Sequence, residues 1–145
     1  AQTAMKAGKK GVYTVGEGGD YATIQAAVDD IATGIEGAVT VNILSGEYNE
    51  KVNIPEIPGA SDVNTVTIQS ATGNYSDVKI FHNAHTDPGY NTDKYGVVTF
   101  NGADYVTLRG VTVTSPDKTF PALVYMINTS QHGTVHACHL YTDRI

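Results

Sequence analysis

Residues Gly18-Gly19-Asp20-Tyr21-Ala22-Thr23-Ile24-Gln25-Ala26-Ala27-Val28-Asp29-Asp30-Ile31 form the one stretch of this chain with convincing helical periodicity. Ile24, Ala27, Val28 and Ile31 recur at i, i+3, i+4 and i+7, which gives a short helix one apolar face. Gly16, Gly18 and Gly19 break the chain before it, Asp20 or Thr23 can cap its N-terminus, and Gly34 with Gly37 ends it. Such a helix lies on something apolar, and the rest of the sequence says what that is.

Beyond Gly37 the chain reads as short strands: Val39 to Leu44, Val63 to Ile68, Val78 to Phe81, Val97 to Phe100, Tyr105 to Val113, Leu123 to Ile127 and Val135 to Leu140. Turn residues separate them, among them Ser45-Gly46, Pro58-Gly59, Thr72-Gly73-Asn74, Asn101-Gly102 and Ser115-Pro116. The pattern is all-β with one helix at its head. Hairpin proteins place strands close together with tight turns, and only Asn101-Gly102 resembles such a turn. The inward-type pairs Val41/Ile43, Val66/Ile68, Val106/Leu108 and Val135/Ala137 instead return after about 25, 40 and 29 residues, the range of a solenoid. The long second interval predicts an insertion over 83–94, rich in Asn, Asp, His, Pro and Gly. A solenoid of stacked parallel strands is therefore expected, with residues 1–12 as an N-terminal tail and 13–145 as coils of a single domain.

Composition narrows the function classes. The 145 residues are 41% hydrophobic and 17% charged, enough to build a core. Nine Lys and Arg against fifteen Asp and Glu give a net charge of −6, so neither nucleic acid nor an anionic membrane is an expected partner. No run reaches the roughly 20 apolar residues of a membrane span, and a soluble protein is expected. The single cysteine, Cys138, cannot form an intrachain disulfide and reads as a small, partly buried side chain.

The opening stretch resembles the G-D-(aromatic)-x-T-I-Q-x-A-(apolar) segment of pectin methylesterases and related right-handed parallel β-helix proteins, in which it forms the N-terminal cap helix. Ile43-Leu44-Ser45-Gly46-Glu47-Tyr48-Asn49-Glu50-Lys51-Val52-Asn53-Ile54-Pro55 is similar to their I-x-P-G-x-Y-x-E-x-V-x-I-P segment, with Ser45 where proline is usual. Ala103 to Val113 resembles a later coil. The physical role of the helix agrees with the likeness, because an open β-helix exposes apolar cross-section and free strand edges that a cap must cover. The likeness implies that residues 13–145 are the N-terminal coils of such a parallel β-helix, truncated at its C-terminal end.

The resemblance implies metal-free, cofactor-free ester hydrolysis by an aspartate nucleophile, a second aspartate as acid/base, glutamines that stabilise the oxyanion and a positioning arginine. At the matching positions Pro121 and Thr142 replace the glutamines, and Asp143 alone retains the acid/base. The nucleophile and arginine would lie past Ile145, so the 145 residues alone are expected to be inactive. Proline supplies neither a side-chain amide nor a backbone N–H for the oxyanion.

Other constellations carry less. His82, His85 and Asp87, or His132, His136 and His139, show no established zinc spacing, and His136 and His139, read on one strand, point to opposite faces. Asp77, Asp87, Asp93 and Asp104 form no close calcium series. Asn74-Tyr75-Ser76 and Asn128-Thr129-Ser130 match glycosylation sequons. Nine tyrosines against three phenylalanines suit sugar rings, which pack C–H faces on aromatics while their hydroxyls find partners; Tyr90, Tyr95 and Tyr105, with Tyr75 near them, are the candidate glycan contacts.

The expected protein is thus a secreted or cell-surface β-helix that binds or processes polysaccharide. The competing class is a noncatalytic adhesin or assembly module. Its open end would be covered by self-association or by further coils of the same chain.

Overall fold

A computed structural model describes residues 8–82, 96–116 and 122–142. Along them run β1 (Lys9–Val15), α1 (Ile24–Ile31), β2 (Ile35–Ile43), β3 (Gly46–Asn49), β4 (Val52–Ile54), β5 (Val66–Ser70), β6 (Val78–Phe81), β7 (Gly96–Asn101), β8 (Val106–Arg109), β9 (Thr112–Ser115), β10 (Ala122–Ile127), β11 (Thr134–His136) and β12 (His139–Thr142). A 3-10 turn at Tyr75–Asp77 leads into β6.

Among the described residues every strand pair is parallel, and the strands stack into three sheets in the orders β1-β2-β5-β8-β11, β10-β7-β4 and β12-β9-β6-β3. This is the stacked solenoid expected from the strand spacing, in the right-handed parallel β-helix form that the family resemblance implied. Equivalent residues of adjacent coils meet across the ladder: Val39, Val66 and Val106 in one column, Val41, Ile68, Leu108 and Val135 in the next. Their alternation with polar neighbours sends Val41, Ile68 and Leu108 inward, where they pack with Ile54, Ile80 and Phe100 in one continuous core.

Several boundaries differ from expectation. The first strand begins at Lys9, inside the span read as a tail. Val63 is exposed and precedes β5, which starts at Val66. The runs Tyr105 to Val113 and Val135 to Leu140 each divide in two, turning at Gly110 and Ala137 with φ of 60° and 52°. The short strands β3 and β4 had no counterpart in the sequence reading. The insertion expected over 83–94 lies outside the described residues.

The helix closes the first coil as the amphipathic pattern requires. Ile24, Ala27, Val28 and Ile31 are fully buried, and α1 packs on β1, β2 and β4. Thr23 is the cap: its hydroxyl accepts from the Ala26 N–H at 3.1 Å. Asp20 instead accepts from the Thr14 N–H at 2.9 Å and covers the outer edge of β1.

The two quoted motifs meet here. The first turn of α1 has no acid of its own, but the Glu50 carboxylate accepts from the N–H groups of Ile24 (3.0 Å) and Gln25 (2.8 Å), satisfying donors that a helix start leaves free. The Gln25 amide accepts from the Asn53 N–H at 2.7 Å and donates to the Asn53 carbonyl at 3.0 Å, pairing with β4 as a neighbouring strand would. Tyr48 donates to the Leu44 carbonyl at 2.6 Å and packs under Gly16, where a Cβ would come within 2.7 Å of its hydroxyl. Among the described residues no helix is long and apolar enough to cross a membrane.

Candidate functional site

The outer face of the β3-β6-β9-β12 sheet is built by strand alternation. Tyr48, Ile80 and Val113 form one column against the core, and Leu140, next in that column on the last coil, is exposed. The flanking positions point outward and make two external columns: Glu47, Lys79, Thr112 and His139, then Asn49, Phe81, Thr114 and Tyr141.

A groove of about 250 Å³ opens on this face, lined by Tyr75, Ser76, Lys79, Thr112, His139 and Tyr141. Tyr75 arrives on the 3-10 turn before β6. That turn is fixed from both ends: Asn74 accepts from the Ser76 N–H and hydroxyl at 3.0 and 2.8 Å, and the Thr112 hydroxyl donates to the Tyr75 carbonyl at 2.8 Å. The Tyr75 and His139 rings meet edge-on, with centroids 5.2 Å apart and planes at 63°; His139 and Tyr141 lie 4.9 Å apart at 31°. Lys79 completes the wall, its ammonium 5.2 Å from the Phe81 centroid and 3.9 Å from the Glu47 carboxylate. Beside the groove, the buried Thr114 hydroxyl has no hydrogen-bond partner among the described residues.

A larger cleft of about 420 Å³ lies between the cap and β3, lined in part by Glu17, Glu47, Tyr48 and Glu50. Glu50 and Tyr48 are already committed to the cap and the β3 corner, so this cleft is a seam of the fold rather than a built binding site. Burial, and secondarily the charge of Glu50, raises the Tyr48 pKa above its ordinary value, which keeps that phenol protonated as a donor.

No family model matches the chain. Over 82 residues it is 35% identical to a pectinesterase of Aspergillus niger, a stretch that covers 57% of this chain and 25% of the relative. It superposes on the crystal structure of the pectin methylesterase from Aspergillus niger in deglycosylated form with a TM-score of 0.66 and 22% identity, covering 96% of this chain and 48% of that one. The same enzyme in penultimately deglycosylated form gives the same values. The chain has the parallel β-helix fold of that enzyme. It spans about half the length of the solved enzyme that it matches.

Within this pectin methylesterase-like frame the expected site residues fall in different places. Asp143, Pro121, Tyr90 and Tyr95 lie outside the described residues. Thr142 ends β12, paired with Ser115. Tyr105 does not join the groove: it sits in the turn before β8 with φ of 58°, its ring stacked on His132 of the next coil at 4.6 Å and 9°. His136 and His139 occupy separate strands on separate sheets, so the expectation of one strand with opposite faces is corrected by the turn at Ala137. Cys138 is half-buried, its sulfur 3.5 Å from the Leu108 carbonyl.

Of the groove residues only Tyr75 was a candidate glycan contact; Ser76, Lys79, Thr112, His139 and Tyr141 were not singled out for this site, and Lys79, Thr112 and His139 are its cross-coil set. They become neighbours only through the register of three coils. The usable signal is the spacing of adjacent coils: Thr112 and His139 keep the 27-residue spacing of Asn42 with Gln69 and Asn101 with Asn128, whereas Lys79 and Thr112 do not, because the insertion expected over 83–94 falls between them.

Proposed function

We propose that this β-helix belongs to a secreted or cell-surface protein that binds or processes polysaccharide and is related to pectinesterases, and that residues 1–145 alone carry no esterase activity. The observation that carries the reading is the 35% identity to a pectinesterase, held on a coil stack that presents an aromatic groove on one outer face. Asp143 follows Tyr141 by two residues in the sequence.

The chemistry explains the expected inactivity. Ester hydrolysis through an acyl-enzyme needs a nucleophilic carboxylate, a separate acid/base to protonate the leaving alkoxide and activate water, and donors for the oxyanion. Asp143 can serve one of these roles. Pro121 and Thr142 cannot replace two glutamine amides, and among the described residues no carboxylate lines the groove.

The test pairs an activity assay with a binding assay. Methanol release from methyl-esterified polygalacturonan is expected to stay at background for the chain and for Asp143→Asn alike, while calorimetry detects glycan binding. Methanol release that Asp143→Asn abolishes would overturn the inactivity, and failure to bind any polygalacturonan would overturn the polysaccharide reading.

A further inference from the structure

We propose that Asn101-Gly102 is a latent modification site: it deamidates when the coil carrying β10 leaves the stack, and the isoaspartyl product bars that coil from returning. The inference is independent of the polysaccharide reading. Asn101 is the only asparagine of the sequence followed by glycine, and such a pair cyclises readily because no side chain shields the glycine nitrogen.

The reaction needs two free partners. The deprotonated Gly102 amide nitrogen attacks the carbonyl carbon of the Asn101 side chain, the new C–N bond closes a succinimide ring, and the side-chain nitrogen leaves as ammonia. Water then opens the ring at either carbonyl, giving aspartate or isoaspartate. One water is consumed and one ammonia released, with no oxidant or cofactor.

Consecutive residues of the next coil hold both partners. The Gly102 N–H donates to the Ile127 carbonyl at 3.1 Å, which opposes its deprotonation. The Asn101 Oδ1 accepts from the Asn128 amide, which fixes the side chain that must swing onto that nitrogen. Ser130 locks the same corner, its hydroxyl accepting from the Ala103 N–H at 3.0 Å and donating to the Phe100 carbonyl at 2.9 Å. Every one of these contacts comes from the end of β10 and the turn after it, and among the described residues β10 pairs with β7 alone. Its opening therefore costs less than that of a coil held on both sides. In the isoaspartyl product the backbone runs through the former side chain and gains a methylene, which takes the Gly102 N–H out of register with the Ile127 carbonyl.

Peptide mapping of the 145-residue chain by mass spectrometry, in mildly alkaline buffer, follows deamidation at Asn101, with the chain unfolded in guanidinium chloride as reference. The folded chain is expected to react at least about tenfold more slowly, because only its opened fraction is competent. Asn128→Gly removes the amide while suiting the left-handed φ of 55°, and should raise the folded rate several-fold, with amide exchange at Gly102 rising in step. Chain isolated with isoaspartate at position 101 should lose exchange protection along β10 while Ile68 keeps its own. Equal rates in the folded and unfolded chain, or faster deamidation in Asn128→Gly with unchanged exchange at Gly102, would overturn the latch. Full β10 protection in the isoaspartyl chain would overturn the block on its return.

Discussion

Gln25 does the work of a missing strand. Where β4 would otherwise present a free edge, the Gln25 amide offers one acceptor and one donor to the backbone of Asn53, at 2.7 and 3.0 Å. A carboxylate has the same shape but no donor, and it would face the Asn53 carbonyl. Gln25→Glu is therefore expected to lower stability by about 2 kcal/mol, and more than Gln25→Ala, measured by the urea midpoint; a Glu variant as stable as the parent would contradict this role. The motif containing Gln25 is plain in the sequence, but its partner lies 28 residues on, and no local pattern reveals it. Tyr21 shows the same limit. Its hydroxyl donates to Asp30 at 2.5 Å, and burial first, then that carboxylate, raises its pKa well above the ordinary 10. A raised folded pKa means that the folded state holds its proton where the unfolded state has lost it. The associated stability is thus full below about pH 10 and declines as pH rises from there toward the folded value. Tyr21→Phe should cost about 1 kcal/mol at neutral pH by losing the hydrogen bond, and should flatten the alkaline decline seen in thermal melts between about pH 9 and 11.

At the scale of elements, what escaped the sequence reading was where coils turn. The β8–β9 and β11–β12 corners are each made by one residue in the left-handed region, Gly110 at φ 60° and Ala137 at φ 52°. A lone Gly110 inside the apolar run Tyr105 to Val113 and an Ala137 with no turn signal at all both leave their runs looking like single strands. β3 and β4 were missed because four and three residues are too short to show a period. The corners give a prediction of opposite signs. A Cβ in the left-handed region costs roughly 1 kcal/mol, so Ala137→Gly should stabilise the chain by about that amount. Gly110→Ala should destabilise it similarly, since the added Cβ meets the Gly73 carbonyl at an ordinary 3.4 Å and only backbone strain remains. Denaturation midpoints that move in the same direction for both variants would refute this account of the corners.

The solenoid as a whole was legible because inward Val and Ile recur from coil to coil. Its register was not, because a shift of two residues keeps every side chain on its face. Val41/Ile43 were matched to Val66/Ile68, whereas the ladder joins Val39 to Val66 and Val41 to Ile68; Val135 likewise faces Leu108 rather than Val106. The groove depends on that register, which is why Tyr75 could be singled out from sequence and Lys79 with His139 could not. Stacked coils also dictate how stability is distributed, since each coil is held chiefly by its neighbours. Ile68 lies on β5, bonded to β2 on one side and β8 on the other, while Tyr141 lies on β12, which among the described residues pairs with β9 alone. In the 145-residue chain, hydrogen exchange should therefore be slowest at Ile68 and its ladder partners Val41 and Leu108, and faster by a factor of about 100 or more across β12. The first coil is the informative contrast, because α1, Gln25 and Glu50 cover it where a preceding coil would stand. Asn53 should exchange at a rate close to that of the middle coils, and Gln25→Glu should accelerate it before any change reaches Ile68. Uniform protection from β1 to β12 would instead make the chain a single cooperative unit and remove the nearest-neighbour account.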